Sequence, residues 1–179
     1  KTFWEQLYSL FEEENYIKVS KNIVFRSSKG ISDVDAIIYN KKSNVLGIFQ
    51  LKWQEKYGAS MKERYSRISN LYPKTVEWID KVEAWVNESP VKNAMKKFGI
   101  DYSSENPVKV LLFVICRYGT FFTGCEPDKR ATWSSIWLML KVLTQIPRDI
   151  PNKLEVLHDL LFQEYILLSK AQQSSDEDM

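Results

Sequence analysis

The run KGISDVDAIIYNKKSNVLGIFQLKWQ, residues 29–54, narrows the possible folds of this chain more than any other segment. Two of its parts, SDVDAIIYN and NVLGIFQLKWQ, are rich in β-branched and aromatic residues, and the polar segment NKKSN that joins them is typical of a turn. The run therefore predicts two adjacent strands that pair in antiparallel. Both strands also carry polar or charged residues, namely Asp33, Asp35, Gln50 and Lys52. Burying such groups is costly unless they are paired or bind a metal, so their presence suggests a functional site.

The segment before this run predicts one helix and one strand. Thr2 and Glu5 form a capping-box pattern, and apolar residues then recur at helical spacing in a helix that we expect to end near Asn15. The following segment YIKVSKNIVFRSS has the alternating pattern of a strand. With the two strands above, it would complete an antiparallel meander.

The middle of the chain predicts helices followed by a strand. Residues 60–99 have helical periodicity, with interruptions predicted at Pro73 and Pro90. The run PVKVLLFVICRYG, residues 107–119, is almost continuously apolar, as is typical of a strand in the middle of a sheet.

Two apolar helices are predicted near the C-terminus, from Trp133 to Leu143 and from Lys153 to Leu168, separated by PRDIP. Trp133 and Trp137 lie at helical spacing, and we expect both in the core. His158, in the second of these helices, is expected to be a packed or surface residue rather than a ligand.

These elements follow the order α-β-β-β-α-β, with extra helices on the C-terminal side. The order predicts an α/β (α+β) fold with a mixed central sheet flanked by helices. A chain of 179 residues with 44% hydrophobic residues is long enough for one domain, which we assign to residues 1–169. The polar and acidic segment KAQQSSDEDM, residues 170–179, is predicted to be a disordered tail.

Charge and cysteine content exclude some classes of protein. The formal net charge of +2 is too small to indicate a nucleic-acid-binding protein without a local basic patch. Cys116 and Cys125 form no Cys-x-x-Cys pair, which argues against a zinc site and favours free thiols in the cytoplasm. No apolar run approaches the ~20 residues of a membrane span, and the first residues lack the apolar region of a signal peptide. The chain begins with Lys1 rather than Met, which suggests that it was excised from a longer protein or processed, so that partner domains upstream are possible.

Strand geometry predicts that the polar residues of the first run converge. Residues two apart on a strand share a face, so Gln50 and Lys52 point the same way, as do Asp33 and Asp35. If the two strands pair, a carboxylate, an amide oxygen and an ammonium group meet at one place.

This arrangement resembles the PD-(D/E)xK nuclease superfamily. SDVDAII, followed about fifteen residues later by FQLKW, is similar to its motif in the Gln-x-Lys form of Mrr-type restriction endonucleases. The element order and the opening helix FWEQLYSLFEEENYIKV also resemble the restriction endonuclease-like core, over roughly residues 1–53. The resemblance implies a metal-dependent DNA endonuclease that uses Mg²⁺ or Mn²⁺.

The resemblance also implies a role for each matching residue. Asp35 would be the principal metal ligand and Asp33 a secondary candidate, and the backbone carbonyl of Leu51 would add a further oxygen. Gln50 stands where the family usually has a second acid, and its amide oxygen would replace a carboxylate. Lys52 would position the attacking water and stabilise developing charge.

Other residues are candidates for the metal site or for DNA contacts. Glu5 matches a glutamate of the family's first helix and would be a further metal ligand. Basic residues interleaved with tyrosines suit a phosphate backbone, and the candidates are Lys56, Lys62, Arg64, Arg67 and Lys74. A solvated helix face explains the same basic residues. A homodimer is a further expectation, because cutting both strands requires two sites.

Several of these residues also have a purely structural explanation. Asp33 and Asp35 suit the edge of a loop, Gln50 and Lys52 suit a solvated edge strand, and the capping box accounts for Glu5.

Two other functions fit parts of the pattern. A DNA-binding or interaction module that keeps the nuclease fold without activity is one, since Gln50 removes a negative charge. A nucleotidyltransferase is the other, because FRSSKGISDVDAII resembles its Ser-Asp-x-Asp motif. The turn Arg26-Ser27-Ser28 lacks the glycine which that family requires, and the next strand carries Gln50 and Lys52 instead of a third carboxylate.

Overall fold

The computed structural model describes six stretches of the chain: residues 3–19, 23–52, 60–88, 91–101, 107–118 and 128–177. Within them, only the backbone is described at residues 61, 63–70 and 168–177. None of the helices in these stretches is long and apolar enough to cross a membrane.

The described helices are α1 (Phe3–Tyr8), α2 (Met61–Glu88), α3 (Val91–Lys97), α4 (Ile136–Gln145) and α5 (Lys153–Glu177). The described strands are β1 (Tyr16–Val19), β2 (Ile23–Ser27), β3 (Gly30–Val34), β4 (Ala36–Asn40), β5 (Val45–Lys52), β6 (Lys109–Cys116) and β7 (Ala131–Ser135). Helix α5 continues to Glu177 and so enters the segment 170–179 that the sequence predicts to be disordered.

A five-stranded mixed sheet forms the centre of the fold, in the order β1-β4-β5-β6-β7. The pairs β1–β4 and β4–β5 are antiparallel, and β5–β6 and β6–β7 are parallel. The predicted mixed sheet flanked by helices is therefore confirmed. The prediction for β6 is also confirmed, because this strand lies inside the sheet and its residues from Leu111 to Cys116 are buried.

Alternation along the strands divides the core between the two faces of the sheet. On β5, Leu46 and Ile48 belong to the cluster that contains Ile79 of α2, on the face that we call the α2 face. Val45 and Phe49 belong to the cluster on the opposite face, which includes residues of α1, α4 and α5. Helices therefore cover both faces, which explains why the inner strands are almost continuously apolar.

Strands β2 and β3 form a separate two-stranded antiparallel sheet. The sequence predicts one strand across SDVDAIIYN, but the structure divides it at Asp35, where the chain bends from β3 into β4. The predicted strand YIKVSKNIVFRSS is likewise divided into β1 and β2. Both predictions were wrong because β-branched residues continue through each segment, and local alternation does not show where the pairing partner changes.

Helix α1 is shorter than predicted and ends at Tyr8 rather than near Asn15. The backbone N–H of Leu10 donates to the carbonyl of Leu7, and that of Phe11 donates to Tyr8, so the helix ends in turns of three residues.

Helix α2 runs through Pro73 without the predicted interruption. A proline inside a helix removes one backbone hydrogen bond and costs about 3 kcal/mol in isolation. Four buried residues in the second half of α2 offset this cost by packing on the sheet and the β2–β3 hairpin: Trp78, Ile79, Val82 and Trp85.

The helix predicted from Trp133 to Leu143 begins only at Ile136, because Ala131–Ser135 forms strand β7. Trp133 is fully buried on this strand and stacks on Tyr72 at a ring-centroid distance of 5.4 Å. The expectation that Trp137 lies in the core was wrong, since its side chain is 67% exposed. The two tryptophans belong to different elements, so their helical spacing carries no information about burial.

Candidate active site

Asp35 lies at the bend between β3 and β4, directly before the strand that pairs with β5. Because Ala36 pairs with Phe49, Asp35 comes to lie opposite Gln50. One oxygen of its carboxylate, Oδ2, accepts a hydrogen bond from the side-chain amide of Gln50 and another from the backbone N–H of Leu51 at 2.7 Å. The structure thus brings these three predicted residues together.

Lys52 is the last residue of β5 and lies on the same face as Gln50, two residues earlier. Its side chain is half-buried, and its charge interacts with that of Asp35. Cys116, its partner in the register of β6, is a buried free thiol beside it. The site therefore lies where two parallel strands end, at their carboxyl edge, which is a common place for binding sites in sheets with parallel strands.

The backbone of Leu51 faces Asp35. On a strand, the N–H and the C=O of one residue point towards the same neighbouring strand, as in the hydrogen-bonded pairs of an antiparallel ladder. Since the N–H of Leu51 bonds Asp35, its carbonyl is also expected on the β4 side. The carbonyl would then lie on the same side as the Asp35 carboxylate, and its role as a metal ligand stays a prediction.

Asp33 is held next to this group by helix α2. The indole N–H of Trp78 donates to the backbone carbonyl of Asp33 at 2.7 Å. The charge of Asp33 raises the pKa of Asp35, so the two carboxyl groups interact although Asp33 belongs to the β2–β3 sheet. Trp78 was not among the residues selected from sequence, where its helical spacing indicates only a core residue.

Burial shifts the pKa of both ionisable groups towards the neutral form. Desolvation raises the pKa of Asp35, against the hydrogen bond from Leu51 and the charge of Lys52, which lower it. Desolvation lowers the pKa of Lys52, and the charge of Asp35 only partly opposes this effect. Each charge is therefore incompletely compensated within the described residues, which is common in functional sites.

The raised pKa of Asp35 predicts a dependence of stability on pH. Its neutral carboxyl contributes stability that is fully present below the pKa of an unfolded aspartate, about 3.9, and is lost as pH rises through the raised folded value. We therefore expect the free energy of unfolding of wild type to fall relative to that of Asp35→Asn over this range. Urea unfolding at several pH values measures the difference, with Asp101→Asn as an exposed control. A difference that does not change with pH would contradict the raised pKa.

The donor atoms of the site fit a hard divalent cation. Among the described residues, both hydrogen bonds to the Asp35 carboxylate go to Oδ2, so Oδ1 is available to a cation. The amide of Gln50 directs its nitrogen towards Asp35, and its oxygen is the remaining acceptor. Carboxylate, amide and carbonyl oxygens are the ligands that Mg²⁺ prefers. Within the described part of the chain, no group of three or more His, Cys, Asp or Glu side chains could hold a metal ion, so the amide and carbonyl oxygens would be needed.

The structure describes some of the other predicted site residues and not others. Glu5 lies in the first turn of α1 with an exposed side chain, and its role as a metal ligand stays a prediction. Lys62 and Lys74 are exposed on α2. The charge of Lys74 contributes to the lowered pKa of Lys52, so the two ammonium groups interact. Lys56 lies outside the described residues, and the side chains of Arg64 and Arg67 are not described.

One residue that sequence reasoning missed stabilises strand β4, which begins directly after Asp35. The hydroxyl group of Tyr8 donates to the carbonyl of Val19 and accepts from the backbone N–H of Ile37 at 3.1 Å. This side chain links α1 to the ends of β1 and β4. Nothing in the local pattern distinguishes Tyr8 from its neighbours, because its partners are 11 and 29 residues away in sequence.

Comparison of the chain with protein-family models, with curated proteins and with solved structures finds no match in any of the three.

Proposed function

We propose that this protein is a metal-dependent DNA endonuclease of the PD-(D/E)xK type, in the Gln-x-Lys form. One observation carries the proposal: the Asp35 carboxylate meets Gln50 and the backbone of Leu51, with Lys52 one strand period further on. This constellation supports the proposal because it brings an acid, an amide and a lysine to the same end of two paired strands.

The chemistry follows from these groups. A divalent cation bound at the site would stabilise charge on the phosphoryl oxygens and lower the pKa of an attacking water. Asp35, the carbonyl of Leu51 and the amide oxygen of Gln50 would hold this cation. Lys52, which is partly desolvated and whose charge interacts with that of Asp35, would orient the water and donate to the oxygen on which charge develops.

The sheet supports the same proposal. Without the β2–β3 hairpin and the short helix α3, the elements as far as β6 follow the order α1, β1, β4, β5, α2, β6, which is α-β-β-β-α-β. We therefore propose a restriction endonuclease-like core into which the hairpin is inserted. DNA is the proposed partner, with a cytoplasmic location, and a homodimer would supply the second site for cutting both strands.

A cleavage assay tests the proposed activity. Wild-type protein is incubated with plasmid, methylated and single-stranded DNA, with Mg²⁺, with Mn²⁺ or with EDTA. We expect cleavage only with the metal ions, because charge stabilisation at the phosphate depends on the cation. Equal products with and without EDTA, or no products on any DNA, would contradict a metal-dependent nuclease.

The hydrogen bond from Gln50 favours a second candidate, a nuclease fold that binds DNA without cutting it. The amide occupies one oxygen of Asp35 and supplies no negative charge of its own, which weakens the attraction for a cation. Calorimetric titration with Mn²⁺ separates the two candidates. Binding of the ion supports the nuclease, and absence of binding, with and without DNA, supports the inactive module.

A further inference from the structure

The β2–β3 hairpin is a two-stranded ribbon that packs against helix α2 by its inner face. Phe25 stacks on Trp85 of α2 with ring centroids 4.7 Å apart. At the tip of the hairpin, the carboxylate of Glu88 accepts hydrogen bonds from the backbone N–H of Ser28, at 2.9 Å for the nearer oxygen, and from its hydroxyl. Ring stacking along the ribbon and hydrogen bonds at its tip fix the hairpin relative to the helix.

The outer face of the hairpin combines apolar and basic side chains. Residues that pair across antiparallel strands share a face, so the pairs Val24–Asp33 and Arg26–Ile31 lie on the same side. Val24 is 60% exposed and Ile31 is 55% exposed. Arg26, and Lys29 in the turn, are exposed and form no ion pair with any described residue.

This outer face is continuous with the candidate active site. Asp33 belongs to its last residue pair, and the charge of Asp33 acts directly on Asp35. Only Val34 separates Asp33 from Asp35 in the chain. A ligand bound on the outer face would therefore lie next to any phosphate bound at Asp35.

We infer that the outer face of the β2–β3 hairpin binds the major groove of duplex DNA beside the phosphate that is cut, an inference that rests on the proposed nuclease function. The major groove is wide enough for a two-stranded ribbon. Arg26 and Lys29 contact phosphates, and the exposed Val24 and Ile31 contact the edges of the bases, where thymine presents a methyl group. Duplex DNA matches both kinds of side chain on this face, because its phosphates attract the basic residues and its base edges offer apolar contacts to Val24 and Ile31.

A DNA-binding assay under conditions in which no cleavage is expected tests this inference. The affinity for a fluorescein-labelled duplex is measured by anisotropy in EDTA, over a range of salt concentrations, for wild type, Arg26→Ala/Lys29→Ala and Ile31→Ser. The control is Lys41→Ala/Lys42→Ala, which removes the same charge at the turn between β4 and β5, at the far end of these strands from Asp35.

We expect the double variant to bind on the order of tenfold more weakly, with a salt dependence reduced by about 1 for each cation removed. Ile31→Ser should weaken binding without changing the salt dependence, because it removes no charge. The control should retain the affinity of wild type. Unfolding curves verify that the variants fold, which is expected because the replaced side chains are exposed.

The possible outcomes distinguish a failure of the inference about the hairpin from a failure of the proposed nuclease activity. If wild type cuts DNA and the hairpin variants bind like the control, the inference about the hairpin is wrong and the nuclease stands. If wild type binds without cutting and the variants bind more weakly, the nuclease fails and the hairpin surface stands. If wild type neither binds nor cuts, both fail. If Ile31→Ser changes a dimer into a monomer in sedimentation without weakening DNA binding, the outer face is a contact between copies and the inference is overturned.

Discussion

Replacing Lys52 by methionine is expected to lower metal-dependent DNA cleavage by about 10²–10³-fold while the protein remains folded. Lys52 is the last residue of β5, and the charge of its ammonium group interacts with that of Asp35, near which charge develops on a bound phosphate in the proposed reaction. Methionine retains most of the length of the side chain and its apolar contacts. A loss of this size would therefore reflect the missing donor and charge.

The stability of the same variant distinguishes a functional lysine from a structural one. Desolvation lowers the pKa of Lys52, which means that burying its charge opposes folding. The free energy of unfolding of Lys52→Met should thus equal or exceed that of wild type. Lys41→Met, at an exposed turn, is the matched control and should keep full activity. If Lys52→Met cuts DNA at the rate of wild type, Lys52 has no part in catalysis.

Replacing Asp35 by asparagine is expected to abolish the binding of Mn²⁺ and with it the cleavage of DNA. Asparagine keeps an oxygen that can accept from the backbone N–H of Leu51, so the bend before β4 is preserved. It removes the negative charge on which cation binding depends most, since Gln50 contributes none. Calorimetric titration with Mn²⁺ measures the effect.

Two matched variants make the Asp35 experiment specific. Asp101→Asn removes an exposed charge far along the chain and should bind Mn²⁺ as wild type does. Asp33→Asn should weaken binding less than Asp35→Asn, because Asp33 is the secondary candidate and affects Asp35 through its charge. Unchanged Mn²⁺ binding in Asp35→Asn, with a normal unfolding curve, would mean that the cation binds elsewhere.

The predictions of secondary structure that were wrong share one cause. The periodicity of a segment reports which face of an element is buried, but it does not report which other element covers that face. Trp133 looks helical from its spacing to Trp137, yet it lies on β7 between Tyr72 and Tyr165, which are distant in sequence. Pro73 predicts a break, yet tertiary packing of the residues that follow keeps α2 continuous.

The amino-acid sequence by itself determined the apolar strands of the central sheet and the polar turn between β4 and β5. It also identified Asp35, Gln50 and Lys52 as a candidate group. These features depend on local alternation and on side-chain chemistry, which can be read from neighbouring residues. Only the tertiary structure decided the bend at Asp35, the separate β2–β3 ribbon and the contact of Asp35 with the backbone of Leu51. Those features depend on pairing between residues far apart in the chain, whose free energy comes from contacts that no single segment contains.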